Sequence, residues 1–376
     1  MNVLHLGKFD GDVGGIERYL RALLGGLPAD IVAVNLVAND VARTDEHRQY
    51  RYLTVRAASH GIVASVAVAP SMPLLARRLQ REHRFDIVHL HFPDPLGQLT
   101  AMALPRSVKR VISWHSDIIK QRIALAVYRP ILNAFVRDAD AIIGATPQHF
   151  SSSQQMAPGK PRQLRKVIPY GFDPDALGWT DAARRTRATL ELQRGCRPTI
   201  FTVGRHVYYK GFDVLIRAMR AVDAVLWIGG RGPLTENLQR AAQEAGVSDR
   251  VRFPGFIPDA ELIAYYDACD VFCMPSTERA EQFGLVQLEA MHCGKPVVAT
   301  RLGTGVEYVT LDDVTGLLVE PGNEQALGQA LSRLLGDPQL RVRLGEAGRR
   351  RVAEEFSVAQ MVEKTVALYR SLVPAH

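Results

Sequence analysis

Cysteine is scarce. The chain has four in 376 residues, Cys196, Cys269, Cys273 and Cys293, and no C-x-x-C pair among them. That excludes a disulfide-stapled scaffold and a cysteine-built zinc site, and leaves buried free thiols in a reducing compartment as the expectation. Long hydrophobic runs are missing too. The longest stretch without Asp, Glu, Lys or Arg, "AASHGIVASVAVAPSMPLLA" at residues 57–76, is rich in Ala and Ser and carries Pro70 and Pro73. It reads as strand, turn and helix start rather than as a membrane span. The opening "MNVLHLGKF" lacks a basic n-region and a cleavage site, so no signal peptide is expected and the location reads as cytoplasmic. There is no G-x-G-x-x-G fingerprint, and the second strand "DIVAVNLVA" has no clean acidic end; both disfavour a dinucleotide oxidoreductase. Metal-ligand patterns are thin. His89 and His91 alternate along one strand, with nothing in the sequence to complete a metal set. Asp138 and Asp140 form a D-x-D that ends a helix and opens a buried strand, and it reads as incidental.

What is present is an ordinary globular composition, 47% hydrophobic and 23% charged, at a length that suggests two domains. Charge is uneven. Residues 1–172 hold 22 Lys and Arg against 13 Asp and Glu, and the remainder holds 24 against 26. The first half therefore carries the whole positive excess, which attracts anionic partners through its field; a solvated basic surface is the plainer alternative.

Short apolar runs alternate with helical patterns. "NVLHLGKF", "DIVAVNLVA", "DIVHLHF", "KRVISWHS" and "ADAIIGAT" read as parallel strands buried on both faces, with helices such as "GIERYLRALLGGL" between them. After the turn-rich "RKVIPYGFDPDAL" the rhythm restarts with "RPTIFTVGR", "DAVLWIGGRG", "RVRFPGF", "DVFCMPS", "KPVVATR" and "TGLLVEP". This is the pattern of two doubly wound α/β domains with a cleft between them, spanning residues 1–170 and 171–356. A terminal amphipathic helix within 357–376 is expected to pack back on the first domain. Ligands of open α/β sheets sit beyond the carboxyl ends of the strands, so polar residues there are the candidates.

Four groups stand at such ends. In "ERAEQFGLVQLEAMHCGKPVVAT" a helix is expected to begin near Phe283 or Gly284, with Glu281 in the loop before it and Glu289 inside it. A helix N-terminus with carboxylates nearby suits phosphate and sugar hydroxyls; dipole stabilisation by Glu281 and a half-exposed Glu289 are the plain alternative. In "TVGRHVYYKGFDVLI" Arg205 and Lys210 follow a strand and could clamp a diphosphate, or be two surface cations. In "GKFDGDVGGIERYL" Gly14 and Gly15 precede a helix, where a backbone can approach phosphate. His115 in "RVISWHSD" ends a strand and could meet a hydroxyl, although a lone histidine is more often structural.

Together these segments resemble glycosyltransferase family 4, the retaining group 1 transferases. The E-x7-E motif Glu281 to Glu289, "VGRHVYYKGFDVLI", "VGGIERYL", "VIPYGFDPD", "GTGVEYV" and "TGLLVEPGN" carry the resemblance over nearly the whole chain. It implies the GT-B architecture, two Rossmann-like domains facing a central cleft. It implies transfer of a sugar from a nucleotide-diphosphate sugar co-substrate to a glycan or lipid-linked acceptor, without a cofactor or metal. By the same resemblance Glu289 would hold the ribose and Arg205 and Lys210 the diphosphate. Glu281 and the backbone of Phe283, Gly284 and Leu285 would meet the donor sugar. Gly14 and Gly15 would approach the diphosphate, and His115 the sugar near the reacting carbon.

One departure matters. Many members have two glycines before the acidic residue where this chain has "GTGVE", with Thr304 and Val306. The variant resembles transferases that use GDP-linked mannose-type donors, and gives a mild preference for that donor over a UDP-sugar. Rival readings are a nucleotide-sugar epimerase or phosphorylase on the same scaffold and a non-catalytic nucleotide-sugar sensor. No nucleic-acid partner is expected. An anionic membrane surface is a possible partner through residues 118–137, where Lys120, Arg122, Arg129 and Arg137 punctuate apolar residues; an ordinary core-facing helix, interrupted at Pro130, is the plainer reading.

Overall fold

The computed structural model describes residues 1–9, 15–49, 51–63, 66–118, 122–156, 160 and 162–373. The chain divides into two compact units, Met1–Gly171 with Val358–His376, and Phe172–Ser357.

The first unit is built on an eight-stranded sheet. Its strands are Asn2–Phe9 (β1), Val32–Ala38 (β2), Asp45–Gln49 (β3), Tyr52–Ala57 (β4), Ile87–Phe92 (β7), Lys109–Trp114 (β8), Ala141–Gly144 (β9) and Leu164–Val167 (β10); Ile62–Val63 (β5) and Val66–Ala67 (β6) form a separate small ladder. The order is β10-β9-β8-β7-β1-β2-β4-β3. All neighbours are parallel except β3, which returns antiparallel on β4 at the edge. Helices on both faces explain why β7 is buried throughout. The Val358–Leu372 helix contributes Met361, Val362, Val366, Leu368 and Tyr369 to the core that holds Tyr19, Leu23 and Ile87.

The second unit has six parallel strands, Thr199–Val203 (β11), Val225–Gly229 (β12), Val251–Gly255 (β13), Val271–Met274 (β14), Val297–Thr300 (β15) and Gly316–Val319 (β16), in the order β13-β12-β11-β14-β15-β16. The winding reverses between β11 and β14, which makes the carboxyl ends of those two strands the switch point of the sheet.

Residues 57–76 give the β5–β6 ladder and the start of the Met72–His83 helix, in line with the strand, turn and helix start expected there. Other readings change. The β3–β4 edge hairpin has no counterpart in the sequence reading, because β3 is polar throughout. The helix expected over 118–137 runs from Arg122 to Asp138 and continues through Pro130, burying Leu132, Phe135 and Val136; the Lys120 part of that reading lies outside the described residues. Among the cysteines, Cys269 and Cys273 are buried as expected, but Cys196 is exposed and Cys293 half-buried. The D-x-D carboxylates are consumed by ion pairs, Asp138 with Arg110 and Lys160 and Asp140 with Lys109. Among the described residues no helix is long and apolar enough to cross a membrane.

Candidate active site

The loops that follow β11 and β14 pack directly on each other. Gly211, at φ 64°, lies so close to the Pro275 carbonyl that any side chain would collide with it. The contact is sealed by the Thr277 N–H donating to the Tyr209 carbonyl at 2.8 Å. Only glycine combines that backbone conformation with that approach. The consequence is that Lys210 and Glu281, far apart in sequence, meet: Lys210 Nζ lies 2.5 Å from Glu281 Oε2. The Ser276 hydroxyl donates to the same carboxylate oxygen at 3.2 Å, and the Thr304 hydroxyl to the Glu281 carbonyl at 2.9 Å. Burial pushes the Lys210 ammonium down, but the charge and hydrogen bond of Glu281 outweigh it and the net direction is up. Both side chains of the pair are largely withdrawn from water.

The helix opens where the sequence suggests, at Leu285, one residue after Gly284. Gly284 sits at φ 72°, ψ 70°, and a Cβ there would stand 2.5 Å from Met274 Sδ. The Leu285–His292 helix thus begins beside Met274, the last residue of β14, and its N-terminus is a positive end in the sense of the helix dipole. Phe283 buries its ring against Phe356, and Leu285 is half-buried. Gln287, buried, holds the turn by donating to the Phe283 carbonyl at 2.8 Å and accepting from Thr310 at 2.6 Å.

Glu289 is 9% exposed and takes a 2.6 Å hydrogen bond from the Tyr266 hydroxyl on Oε2. Burial, and then the Glu289 charge, push the Tyr266 phenol well above its ordinary range, so it stays a donor. Arg205 is exposed, at the loop after β11, and among the described residues its guanidinium has no ion-pair partner. Gly204, Gly230 and Gly232 let the ends of β11 and β12 touch backbone to backbone beside it. Arg205, Lys210, Glu281, Phe283, Gly284, Leu285 and Glu289 therefore belong to one unit, and the switch point brings Lys210 and Glu281 into contact. The sequence reading does not single out Ser276, Tyr266, Gln287 or Gly211; it marks Thr304 as a departure from the family pattern, without its bond to Glu281.

The remaining candidates lie in the first unit. Gly14 is outside the described residues. Gly15 is exposed and opens the Gly15–Gly26 helix. His115 follows β8, is 5% exposed, and has both ring nitrogens engaged, Nδ1 with the Tyr170 hydroxyl at 2.8 Å and Nε2 with His91 at 3.3 Å. Burial pushes its pKa down to about 3, so the ring is neutral.

Two sequence families match this chain in tandem, "Glycosyltransferase Family 4" over residues 13–176 and "Glycosyl transferases group 1" over residues 191–351. A GDP-mannose-dependent alpha-(1-6)-phosphatidylinositol monomannoside mannosyltransferase of Mycolicibacterium smegmatis is 31% identical over 350 residues, 89% of each chain. The chain belongs to the group 1 glycosyltransferases of family 4. The O-antigen chain mannosyltransferase C of Escherichia coli is 29% identical to this glycosyltransferase over 377 residues, 99% of each chain. The fold agrees. A sucrose-phosphate synthase from Thermosynechococcus elongatus superposes with a TM-score of 0.82 over the whole of both chains at 23% identity, so the two parallel sheets of the glycosyltransferase are those of the GT-B class. Family 4 transferases are retaining hexosyltransferases that take a nucleotide-sugar donor and a glycan or lipid acceptor.

Proposed function

We propose that the enzyme transfers a mannose-type sugar, with retention, from a GDP-linked donor to a lipid-linked or glycan acceptor in surface polysaccharide assembly. Two observations favour this donor: the mannosyltransferases of M. smegmatis and E. coli among its relatives, and the Thr304 variant of the family block, whose hydroxyl fixes the Glu281 peptide.

The observation that carries the proposal is the Lys210–Glu281 pair at the switch point, with Arg205 alongside and the Leu285 helix start behind. Loss of a nucleoside diphosphate leaves negative charge on its phosphate oxygens. An exposed guanidinium, an ammonium already held in place by Glu281 and the positive end of a helix dipole stabilise that charge without metal. Glu281 holds Lys210 at 2.5 Å; a bound diphosphate competes for the ammonium and turns the carboxylate toward sugar hydroxyls. Glu289, anchored by Tyr266, accepts hydrogen bonds from the ribose. In the first unit the resemblance supports Gly14, Gly15 and His115 as the residues that meet the diphosphate and the sugar, with a sugar hydroxyl replacing Tyr170 on His115 Nδ1. Retention requires that the acceptor oxygen form its bond on the face from which the diphosphate departs, its proton passing to the leaving phosphate oxygen.

A thermal-shift panel of GDP, UDP, GDP-mannose and UDP-glucose tests the donor reading. A selective binder at a hundredfold excess over its dissociation constant adds about 2.7 kcal/mol of stability. Selective stabilisation by guanosine compounds is expected; selective stabilisation by uridine compounds overturns the GDP assignment. For the acceptor side, the outward face of the Arg122–Asp138 helix presents Arg129, Ile131 and Arg137 to solvent, a surface suited to anionic lipid. Co-sedimentation with anionic but not neutral vesicles, falling with salt, is the expected outcome; equal partitioning to both, or none, removes the membrane from the proposal.

A further inference from the structure

Outside the donor loops, three imidazoles form a line across the first sheet. His5 of β1, His91 of β7 and His115 just after β8 are brought together because these strands are neighbours in parallel register. His5 Nδ1 lies 3.2 Å from His91 Nε2, His91 Nδ1 lies 3.3 Å from His115 Nε2, and His115 Nδ1 lies 2.8 Å from the Tyr170 hydroxyl. All three rings are buried. At the far end, His5 Nε2 is buried with no hydrogen-bond partner among the described residues. A parallel chain runs beside it, with Tyr369 on His89 Nδ1 and Ser113 on His89 Nε2.

The protons in the line are countable. Burial holds His5 and His115 down to about 3 and His91 well below its ordinary range, so each ring carries one N–H. A neutral imidazole donates at one nitrogen and accepts at the other. Each link therefore fixes the next, and the line has two arrangements, all protons pointing toward Tyr170 or all pointing toward His5. In the second, His5 is left with a buried N–H and nothing to accept it. Orphaned buried donors are the rarer defect in folded chains, and under-used acceptors are better tolerated.

We infer that His5 and His91 are positioning residues that lock His115 as the Nδ1–H tautomer, so that it meets substrate as a hydrogen-bond donor and not as a base. Its Nε2 lone pair is spent on His91, and its Nδ1–H is the group that a sugar hydroxyl oxygen would accept from in place of Tyr170. This consequence rests on the reading of His115 as a sugar-facing residue; the tautomer itself does not. The rings of His5, His89 and His91 also place ligand atoms within 4.8 Å of one another, which raises a metal site as the competing use of the cluster. An ion there would have to break the His5–His91 link and enter a pocket with no anionic ligand in the set.

Long-range 1H–15N correlation spectra of the intact chain labelled at histidine test the inference without substrate, so its failure and the failure of the donor-binding reading are separable. Nδ1–H tautomers are expected at His5, His91 and His115, the reverse of the form that histidine favours in water. His91→Gln, which can accept from His5 and donate to His115, should keep the His115 tautomer; His91→Leu should release it to a mixture. An Nε2–H tautomer at His115 in the unaltered chain overturns the inference, whatever the variants do. So does saturable, equimolar displacement of the His5, His89 and His91 signals by added Zn2+.

Discussion

Lys210 Nζ and Glu281 Oε2 lie 2.5 Å apart at the point where the second sheet reverses its winding, each side chain little more than a tenth exposed. Removing one partner strands the other charge in a poorly solvated place, and such cuts cost on the order of 3–5 kcal/mol. Lys210→Met and Glu281→Leu should each lower the urea midpoint markedly. The double variant should lose far less than the sum of the two. Additive losses would show that the ions do not depend on each other.

Arg205 offers the contrasting case. It is exposed, and among the described residues no ion pair holds it. Arg205→Ala should leave the melting temperature unchanged and weaken binding of the donor nucleotide by on the order of 1.5–3 kcal/mol, the range for charge-assisted contacts. Titration calorimetry reads this directly. Unchanged affinity would remove Arg205 from the diphosphate site.

Gly284 tests the turn. Its backbone is left-handed and a Cβ would press on Met274 Sδ. Gly284→Ala should destabilise by about 1–2 kcal/mol from the backbone conformation alone, and overpacking adds to that. An unaffected denaturation midpoint would mean that the loop relaxes freely.

The buried histidines predict a pH dependence. Burial pushes His5 and His115 down to about 3, His149 to about 4, and His89 and His91 well below the ordinary value. Their unfolded value is about 6.5, so below that pH the unfolded chain binds more protons than the folded one. Stability should therefore fall as pH drops from 6.5 toward 4, by up to about 1.4 kcal/mol per pH unit for each such group. Asp94, pushed up to about 6 by burial, works in the opposite direction, but it is one group against five. Urea midpoints measured between pH 7 and 5 should decline steadily; a flat profile would contradict neutral, buried rings.

The sequence displays its parallel strands because burial on both faces leaves unbroken apolar runs, as in β12 and β14. The Glu281 to Glu289 spacing and the helix start at Leu285 are equally visible, since glycine and the apolar period mark them. What the sequence hides is pairing. Nothing local says that Lys210 reaches Glu281, because only the close approach at Gly211 creates the contact. Nothing local says that His5 completes a line with His91, or that Tyr369 from the last helix bonds His89. The edge strand β3 is hidden for a different reason: its residues are polar and its one neighbour, β4, pairs with it antiparallel. Pro130 reads as a break but sits within a helix whose core face, Leu132, Phe135 and Val136, holds it in place.

Calorimetric titration of GDP-mannose into the intact chain and into its Glu289→Gln variant tests the central claim most directly. The account predicts saturable one-to-one binding, weakened about tenfold or more in the variant, as for loss of one hydrogen bond to a charged group, with both proteins melting at the same temperature. Equal affinity in the two proteins, or loss of the fold in the variant, would make Glu289 a structural carboxylate and contradict the placement of the donor on this helix.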